Sequence, residues 1–258
     1  MAKLSDVIKT SNPPKILMYG KVGSGKTALT LTLGSKLTMI DMDDGLRTGL
    51  TLQDKFTEDR KSVEVVQFLE REPHKTAGAF AAVKNYIYGL SSRFQKRPYP
   101  FEALALDSLT AYADAALNYI MFNSGKLGKQ PEIQHWGLAF AEIKNVLQVM
   151  RSLPIIVVVI AHEQVKSVGT LESREESLEI AVKGRNLPAE ICRLFDEIWY
   201  IRSRAAAGGK FDYVLQTHSD ALLEARSRSQ LPNYTNTNIG MWEIIRKLGY
   251  ELPKEVNM

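Results

Sequence analysis

The sequence predicts an α/β fold, a mostly parallel central sheet flanked by helices and closed by a late antiparallel hairpin. Three observations carry this reading. Short apolar runs alternate with longer stretches of helical spacing, the pattern of repeated βα units. The first apolar run passes straight into a glycine-rich turn and then into a helical pattern. The segment from Ile155 to Ile160 is an unbroken run of branched aliphatic residues, as expected of a strand covered on both faces.

Taken in order, Lys15 to Tyr19 (KILMY) reads as the first strand and Thr27 to Leu33 opens the following helix. Leu37 to Ile40 (LTMI) is a second strand that ends in Asp41. Helical spacing returns over Ala79 to Leu90, and Pro98 and Pro100 interrupt the chain before a third strand, Ala103 to Leu106. Leu109 to Phe122 is expected to be helical. Residues 123–135, with two glycines, a proline and few apolar side chains, read as an exposed loop. In the helix that follows, Phe140, Ile143, Leu147 and Met150 recur at three- and four-residue spacing and face the sheet. Residues 163–183 are polar and of mixed charge and read as a second long loop. Phe195 to Ser203 and Phe211 to Thr217, joined through Gly208 and Gly209, form the late hairpin.

The 258 residues suit one large domain, divided here into an extension over 1–14 and a core over 15–258. The single cysteine, Cys192, excludes an internal disulfide and any multi-cysteine metal site, and reads as a small core residue. The opening residues lack the apolar stretch of a secretory signal, and the longest apolar run, Leu153 to Ala161, falls far short of the roughly 20 residues that span a bilayer. A cytoplasmic protein without membrane contact is the expectation. The net charge of +4 is compatible with a polyanionic partner without requiring one.

The chemistry concentrates in Gly20 to Thr27, GKVGSGKT. Glycines at this spacing let successive backbone N–H groups turn inward around phosphates, ahead of a helix whose dipole favours negative charge. Gly20, Lys21, Val22, Gly23, Ser24, Gly25, Lys26, Thr27 and Ala28 would line the phosphates of ATP, with the Lys26 ammonium on the β and γ groups and the Thr27 hydroxyl on Mg²⁺. A second metal-holding carboxylate is needed at the end of a neighbouring strand, and Asp107, directly after an apolar run, is so placed. The same Asp107 is also positioned to cap the helix from Leu109. Hydrolysis further needs a group that orients or deprotonates water. Asp41, Asp43 and Asp44 all lie where the second strand ends, and spacing leaves Asp41 and Asp43 equivalent, with Asp44 read as part of a solvated turn. His162, at the end of the Ile155 to Ile160 strand, is placed either to sense the γ phosphate or to serve as a hydrogen-bonded structural group.

Together these residues resemble the core of the RecA family, a RecA-like P-loop NTPase, and within it the compact phage ATPases of the single-strand-annealing Sak type. MIDMDDGL is similar to the segment in which a carboxylate two residues after the strand's Asp activates water, which the resemblance assigns to Asp43. ALALDSLTAYADAA resembles the strand and helix carrying the magnesium-holding Asp107. VVVIAHEQV resembles the strand whose last polar residue senses the γ phosphate, here His162. In EARSRSQLP, Arg226 and Arg228 fall where the family carries two cations that reach a neighbouring subunit's ATP. The catalytic carboxylate is one methylene shorter than the family's usual Glu, and around Arg47 and Leu50 the residues that grip adenine are absent.

The resemblance implies an oligomeric ring or filament whose two long loops face single-stranded DNA, with Lys126 and Lys129 in the first and Lys166, Arg174, Lys183 and Arg185 in or after the second. It also admits a phage or host single-strand-binding protein as partner. Composition does not single out the second loop, because residues 163–185 hold five acidic and four basic side chains. Two other readings stand beside this one. Lys21, five residues before Lys26, matches the signature lysine of partition-type switch ATPases, and a nucleotide-bound DNA clamp with incidental hydrolysis would carry the same loop.

Overall fold

The computed structural model describes residues 13–46, 62–73, 75–93, 101–168, 175–205 and 211–250. Strands are β1 (Lys15–Gly20), β2 (Leu37–Asp41), β3 (Glu64–Gln67), β4 (Ala103–Asp107), β5 (Ile156–Val168), β6 (Glu175–Ile180), β7 (Glu197–Ala205), β8 (Phe211–Gln216), β9 (Arg226–Ser227) and β10 (Tyr234–Asn236). Helices are α1 (Lys26–Leu31), α2 (Ala79–Arg93), α3 (Leu109–Asn123), α4 (Ile133–Ser152), α5 (Leu187–Cys192) and α6 (Met241–Lys247).

The main sheet runs β10-β8-β7-β1-β5-β4-β2-β3. Its centre, β7-β1-β5-β4-β2-β3, is parallel, and β8 and β10 extend it antiparallel. This is the mixed, mostly parallel sheet that the sequence predicts, with the late hairpin formed by β7 and β8. Strand β5 separates the glycine-loop strand β1 from β4, so side chains at the C-terminal ends of three neighbouring strands converge beside the loop.

Alternation explains how β5 binds the two layers together. Val157, Val159 and Ala161 join one core with Phe80 and Ile87 of α2, Tyr112 of α3 and Ile143 and Leu147 of α4. Ile156, Val158 and Ile160 join the opposite core with Leu29 and Leu31 of α1 and Met241, Ile244 and Ile245 of α6. Each such aliphatic side chain contributes roughly 1.5–3 kcal/mol on burial, so this one strand anchors both faces. Cys192 is buried and free, as a core residue.

The structure corrects four expectations. Residues 163–183 are not a simple loop: β5 continues past His162 and turns back as β6, an antiparallel ribbon from Glu163↔Ile180 to Val168↔Glu175. Cross-strand contacts of Glu179 with Gln164 (3.0 Å) and Lys166 (3.1 Å) replace the apolar pattern that announces most strands. Residues 133–135 belong to α4, because Glu132 and His135 form a reciprocal capping box, with the Glu132 amide donating to His135 Nδ1 at 3.0 Å. Strand β3 was not anticipated; it is four residues long and mostly exposed. Finally, Ser108 and not Asp107 caps α3, its Oγ accepting from the Ala111 amide at 3.2 Å, which leaves the Asp107 carboxylate for other work. Gly208, Gly209, Pro98, Pro100, Arg47 and Leu50 lie outside the described residues.

Candidate functional site: a phosphate-binding loop

The loop leaves β1 at Gly20 and enters α1 at Lys26. Glycine is demanded at two of its positions for different reasons. A Cβ at Gly20 would sit 2.3 Å from the Ile201 carbonyl oxygen of β7, a clash with fixed backbone. Gly25 holds φ +90°, and a Cβ there would press on the Tyr213 ring of β8 at 3.1 Å. The last strands of the sheet therefore set the shape of the loop. Lys21 and Val22 are exposed, whereas Ser24 and Lys26 are buried.

Lys26 Nζ donates to the carbonyl oxygens of Gly20 (2.8 Å) and Lys21 (2.7 Å), so the ammonium lies folded under its own loop. Burial lowers its pKa, opposed by the carboxylates of Asp107, Glu163 and Asp43 around it. Ser24 Oγ is buried with no hydrogen-bond partner among the described residues, a costly state that a phosphate oxygen would relieve.

Beside the loop, Thr27 Oγ1 donates to Asp107 Oδ2 at 2.6 Å. Asp107 is 4% exposed, and burial pushes its carboxyl up to about 6 despite the Thr27 hydroxyl, with Asp43 and Asp41 raising it further. A hydroxyl and a buried carboxylate converging in this way form the hard oxygen donor set that suits Mg²⁺. The residues present therefore fit the metal expected of a nucleotide site.

Register separates the acidic residues that spacing leaves equivalent. Asp41 lies opposite Asp107 and is fully buried, its Oδ2 accepting from Gln67 Nε2 of β3 at 2.9 Å. Asp43 lies two residues beyond the strand, and its Oδ2 is 3.3 Å from His162 Nε2. That contact is the main cause of a lowered Asp43 pKa, with lesser help from Ser108 and Lys26. Asp44 adopts φ +56° in the turn. Hence Asp43, His162, Lys26 and Asp107 face one another across the mouth of the loop.

His162 is opposite Gly20 in the β1–β5 register, and its amide donates to Thr110 Oγ1 at 3.1 Å. The next residue, Glu163, accepts from the Tyr200 hydroxyl at 2.8 Å and begins the β5–β6 ribbon. Thr110, Glu163, Tyr200 and Tyr213 are site neighbours that sequence reasoning missed; each enters through long-range pairing, and no local motif marks them.

The other site residues expected from sequence lie apart. Arg226 pairs with Ile198, which pairs with Leu17, three residues before Gly20, or about 10 Å along a strand. Its Nη2 donates to the Cys192 (3.0 Å) and Phe195 (2.7 Å) carbonyls, and Arg228 pairs with Asp196 at 2.8 Å. Neither faces the glycine loop of its own chain. Of the cations assigned to DNA, Lys126 pairs with Glu132, Lys166 with Glu179 and Lys183 with Asp114. Lys129 and Arg185 are exposed, and Arg174 lies outside the described residues.

A glycine loop at the end of the first strand, a buried Asp at the end of β4, and an α/β sheet with β5 between them are the layout of a P-loop ATPase. The chain belongs to the AAA domain family AAA_24, whose model matches residues 12–229. No curated protein matches the sequence. Among solved structures, the chain is similar to the flagellar accessory protein FlaH from Methanocaldococcus jannaschii, at 11% identity and a TM-score of 0.41, over 88% of this chain and 90% of that one. It is also similar to a prototypical ATPase from the type III secretion system of pathogenic bacteria, at 14% identity and a TM-score of 0.46, over 74% of this chain and 52% of that one. Among the described residues, no helix is long and apolar enough to cross a membrane.

Proposed function

We propose that this ATPase is a RecA-like phage recombination protein of the compact Sak type, which binds single-stranded DNA and promotes annealing or strand pairing, with hydrolysis completed between subunits. The observation that carries the reading is the position of His162. Its ring contacts Asp43 at the mouth of the nucleotide loop, and its backbone is the root of the β5–β6 ribbon. The ribbon occupies the place where the resemblance puts the second DNA-facing loop, so nucleotide state and DNA contact would be read by one residue.

In the cycle, the amides of residues 20–27 bind the phosphates, and Lys26 exchanges its two carbonyl partners for the β and γ oxygens. Thr27 and Asp107 would hold Mg²⁺, which supplies charge neutralisation on the phosphates. Asp43 accepts a proton from water as the water oxygen bonds to the γ phosphorus and the bond to the leaving ADP oxygen breaks. His162 orients the Asp43 carboxylate and releases it when the γ phosphate competes for the imidazole. Arg226 and Arg228, remote from their own loop, would act on a neighbour's nucleotide.

The test is the ATPase rate with and without single-stranded DNA at two salt concentrations, for wild type and Lys26→Ala. The reading expects DNA-stimulated turnover that weakens at high salt and is abolished in Lys26→Ala. Turnover indifferent to DNA would remove the recombination reading and leave only the ATPase.

A further inference from the structure

Running outward from the site neighbour Tyr200, the last strands of the sheet carry four side chains whose stacking serves no part of the cycle above. On β7, the Arg202 guanidinium lies 5.6 Å from the Tyr200 ring centroid and 5.8 Å from that of Tyr234 on β10. Arg204 lies 4.5 Å from the same Tyr234 ring. The order Tyr200, Arg202, Tyr234, Arg204 is thus a ladder of alternating aromatic and cationic groups, built because residues two apart on β7 share a face and β8 brings β10 alongside.

The ladder is open at its outer end. Tyr200 is buried, but Tyr234 is 49% exposed, and Arg204 is exposed. Each guanidinium carries five N–H donors, yet among the described residues neither Arg202 nor Arg204 has a hydrogen bond or a carboxylate partner. Arg202 Nε is itself buried and unpaired, a cost that an incoming acceptor would relieve. Asp220, whose carboxyl Arg202 also influences, is already committed to Gln216 Nε2 at 2.8 Å and to the amides of Leu222 and Leu223, and the acid opposite Arg204 in the β7–β8 register is Asp212. A purely structural ladder would be expected to spend these donors on neighbouring carboxylates, as Arg228 does on Asp196.

We infer that this ladder is a binding surface for single-stranded DNA, with a base stacked on the exposed end formed by Tyr234 and Arg204, and with the donors of Arg202 and Arg204 turned to phosphate or base-edge oxygens. Aromatic rings and guanidinium planes accept any base by its π face, while uncompensated cations follow the backbone. The inference rests on the reading that the chain binds single-stranded DNA, but it places a contact at the β7–β8–β10 edge, outside the two loops assigned by resemblance.

The experiment is fluorescence anisotropy of a fluorescein-labelled oligodeoxythymidine against the full chain over a salt series. It compares wild type with Tyr234→Ala, Tyr234→Phe, Arg204→Ala and the loop variants Lys129→Ala and Arg185→Ala. Tyr234→Ala should weaken binding by about tenfold, and Tyr234→Phe should keep it. Arg204→Ala should weaken binding and flatten the salt slope by about 0.7. Photocrosslinking to a bromodeoxyuridine oligonucleotide should label the peptide containing Tyr234, a readout on the unmutated protein. If wild type binds, the loop variants weaken it, and the Tyr234 and Arg204 variants match wild type with no crosslink at Tyr234, the ladder is overturned while the recombination reading stands. If wild type does not bind the oligonucleotide at all, both fall.

Discussion

Thr27 Oγ1 and Asp107 Oδ2 meet at 2.6 Å, tying the first turn of α1 to the end of β4. The hydroxyl comes from the glycine-loop motif and the carboxylate from a strand 80 residues away. With its charge buried, Asp107 is held in a state that costs stability, and that cost can be measured.

Burial pushes the Asp107 carboxyl up to about 6 in the folded chain, above the 3.8 of an unperturbed carboxyl. Its folded pKa is raised, so its protonated form favours the fold below pH 4 and this contribution is lost as pH rises through 6. By linkage the charged carboxylate costs on the order of 3 kcal/mol at pH 7. Asp107→Asn should therefore melt several degrees above wild type at pH 7.5 without nucleotide, and equal it near pH 4. The same variant should lose at least about 100-fold in ATP hydrolysis. A variant that melts below wild type at pH 7.5 would show that the carboxylate is not strained.

Asp43 and Lys26 should separate chemistry from binding. Asp43→Asn keeps the loop and should bind a fluorescent ATP analogue within a few-fold of wild type, while turnover falls about 10² to 10⁴-fold. Lys26→Ala should weaken analogue binding itself. Equal losses of affinity in both variants would place Asp43 among the phosphate-binding groups instead.

Gly20 is constrained by the neighbouring strand and not by the nucleotide. Because a Cβ would stand 2.3 Å from the Ile201 carbonyl oxygen, Gly20→Ala must push β1 and β7 apart. A loss of about 2 kcal/mol or more in urea denaturation is expected, with nucleotide affinity falling alongside. Unchanged stability would mean that the strand pair yields easily at this point.

Arg226 and Arg228 should behave differently although both are expected to act across an interface. Arg226→Ala removes two bonds, to the Cys192 and Phe195 carbonyls; the Cys192 carbonyl keeps the Phe195 amide at 3.4 Å, and loss of the donor to the Phe195 carbonyl should cost about 1–3 kcal/mol. Arg228→Ala breaks a half-exposed pair with Asp196, worth at most about 1 kcal/mol. Thermal melts should separate the two. Mixing Arg228→Ala with Asp43→Ala subunits should restore part of the turnover if Arg228 works in trans, since interfaces where the Arg228→Ala subunit supplies Asp43 and the Asp43→Ala subunit supplies Arg228 are intact.

Lys15 offers a test of a different kind. Its ammonium donates to the Leu153 carbonyl at 2.6 Å and to that of Ile155, closing the C-terminal end of α4. Burial lowers its pKa to about 8 from 10.5. The unfolded chain then holds the proton more tightly, so this group makes stability rise with pH between 8 and 10.5. Urea titrations at pH 7.5 and 10 should show wild type gaining on Lys15→Met over that interval. A gap that narrows instead would contradict the assignment.

The local parts of the site were legible because they depend on neighbours in sequence. The glycine spacing, the strand before it and Asp107 at the end of an apolar run need no distant partner to be recognised. Spacing alone does not choose between Asp41 and Asp43, although the resemblance assigns Asp43, because the choice turns on Gln67 of β3 taking up one carboxylate and His162 of β5 meeting the other. The β5–β6 ribbon is not legible for a related reason: its cross-strand side-chain bonds join Gln164 and Lys166 to Glu179, so it lacks an apolar rhythm. The aromatic ladder was invisible as well, since Tyr234 lies 30 residues beyond Arg204 in the chain.

By itself the sequence determined the class of fold and the grip on phosphate, because periodicity and a glycine turn act through bonds and steric limits within a few residues. Which acid meets the histidine, where Arg226 points and what stands at the sheet edge were decided by tertiary structure. Those outcomes depend on strand register, and register is set by the packing of β5 between two cores rather than by any segment alone.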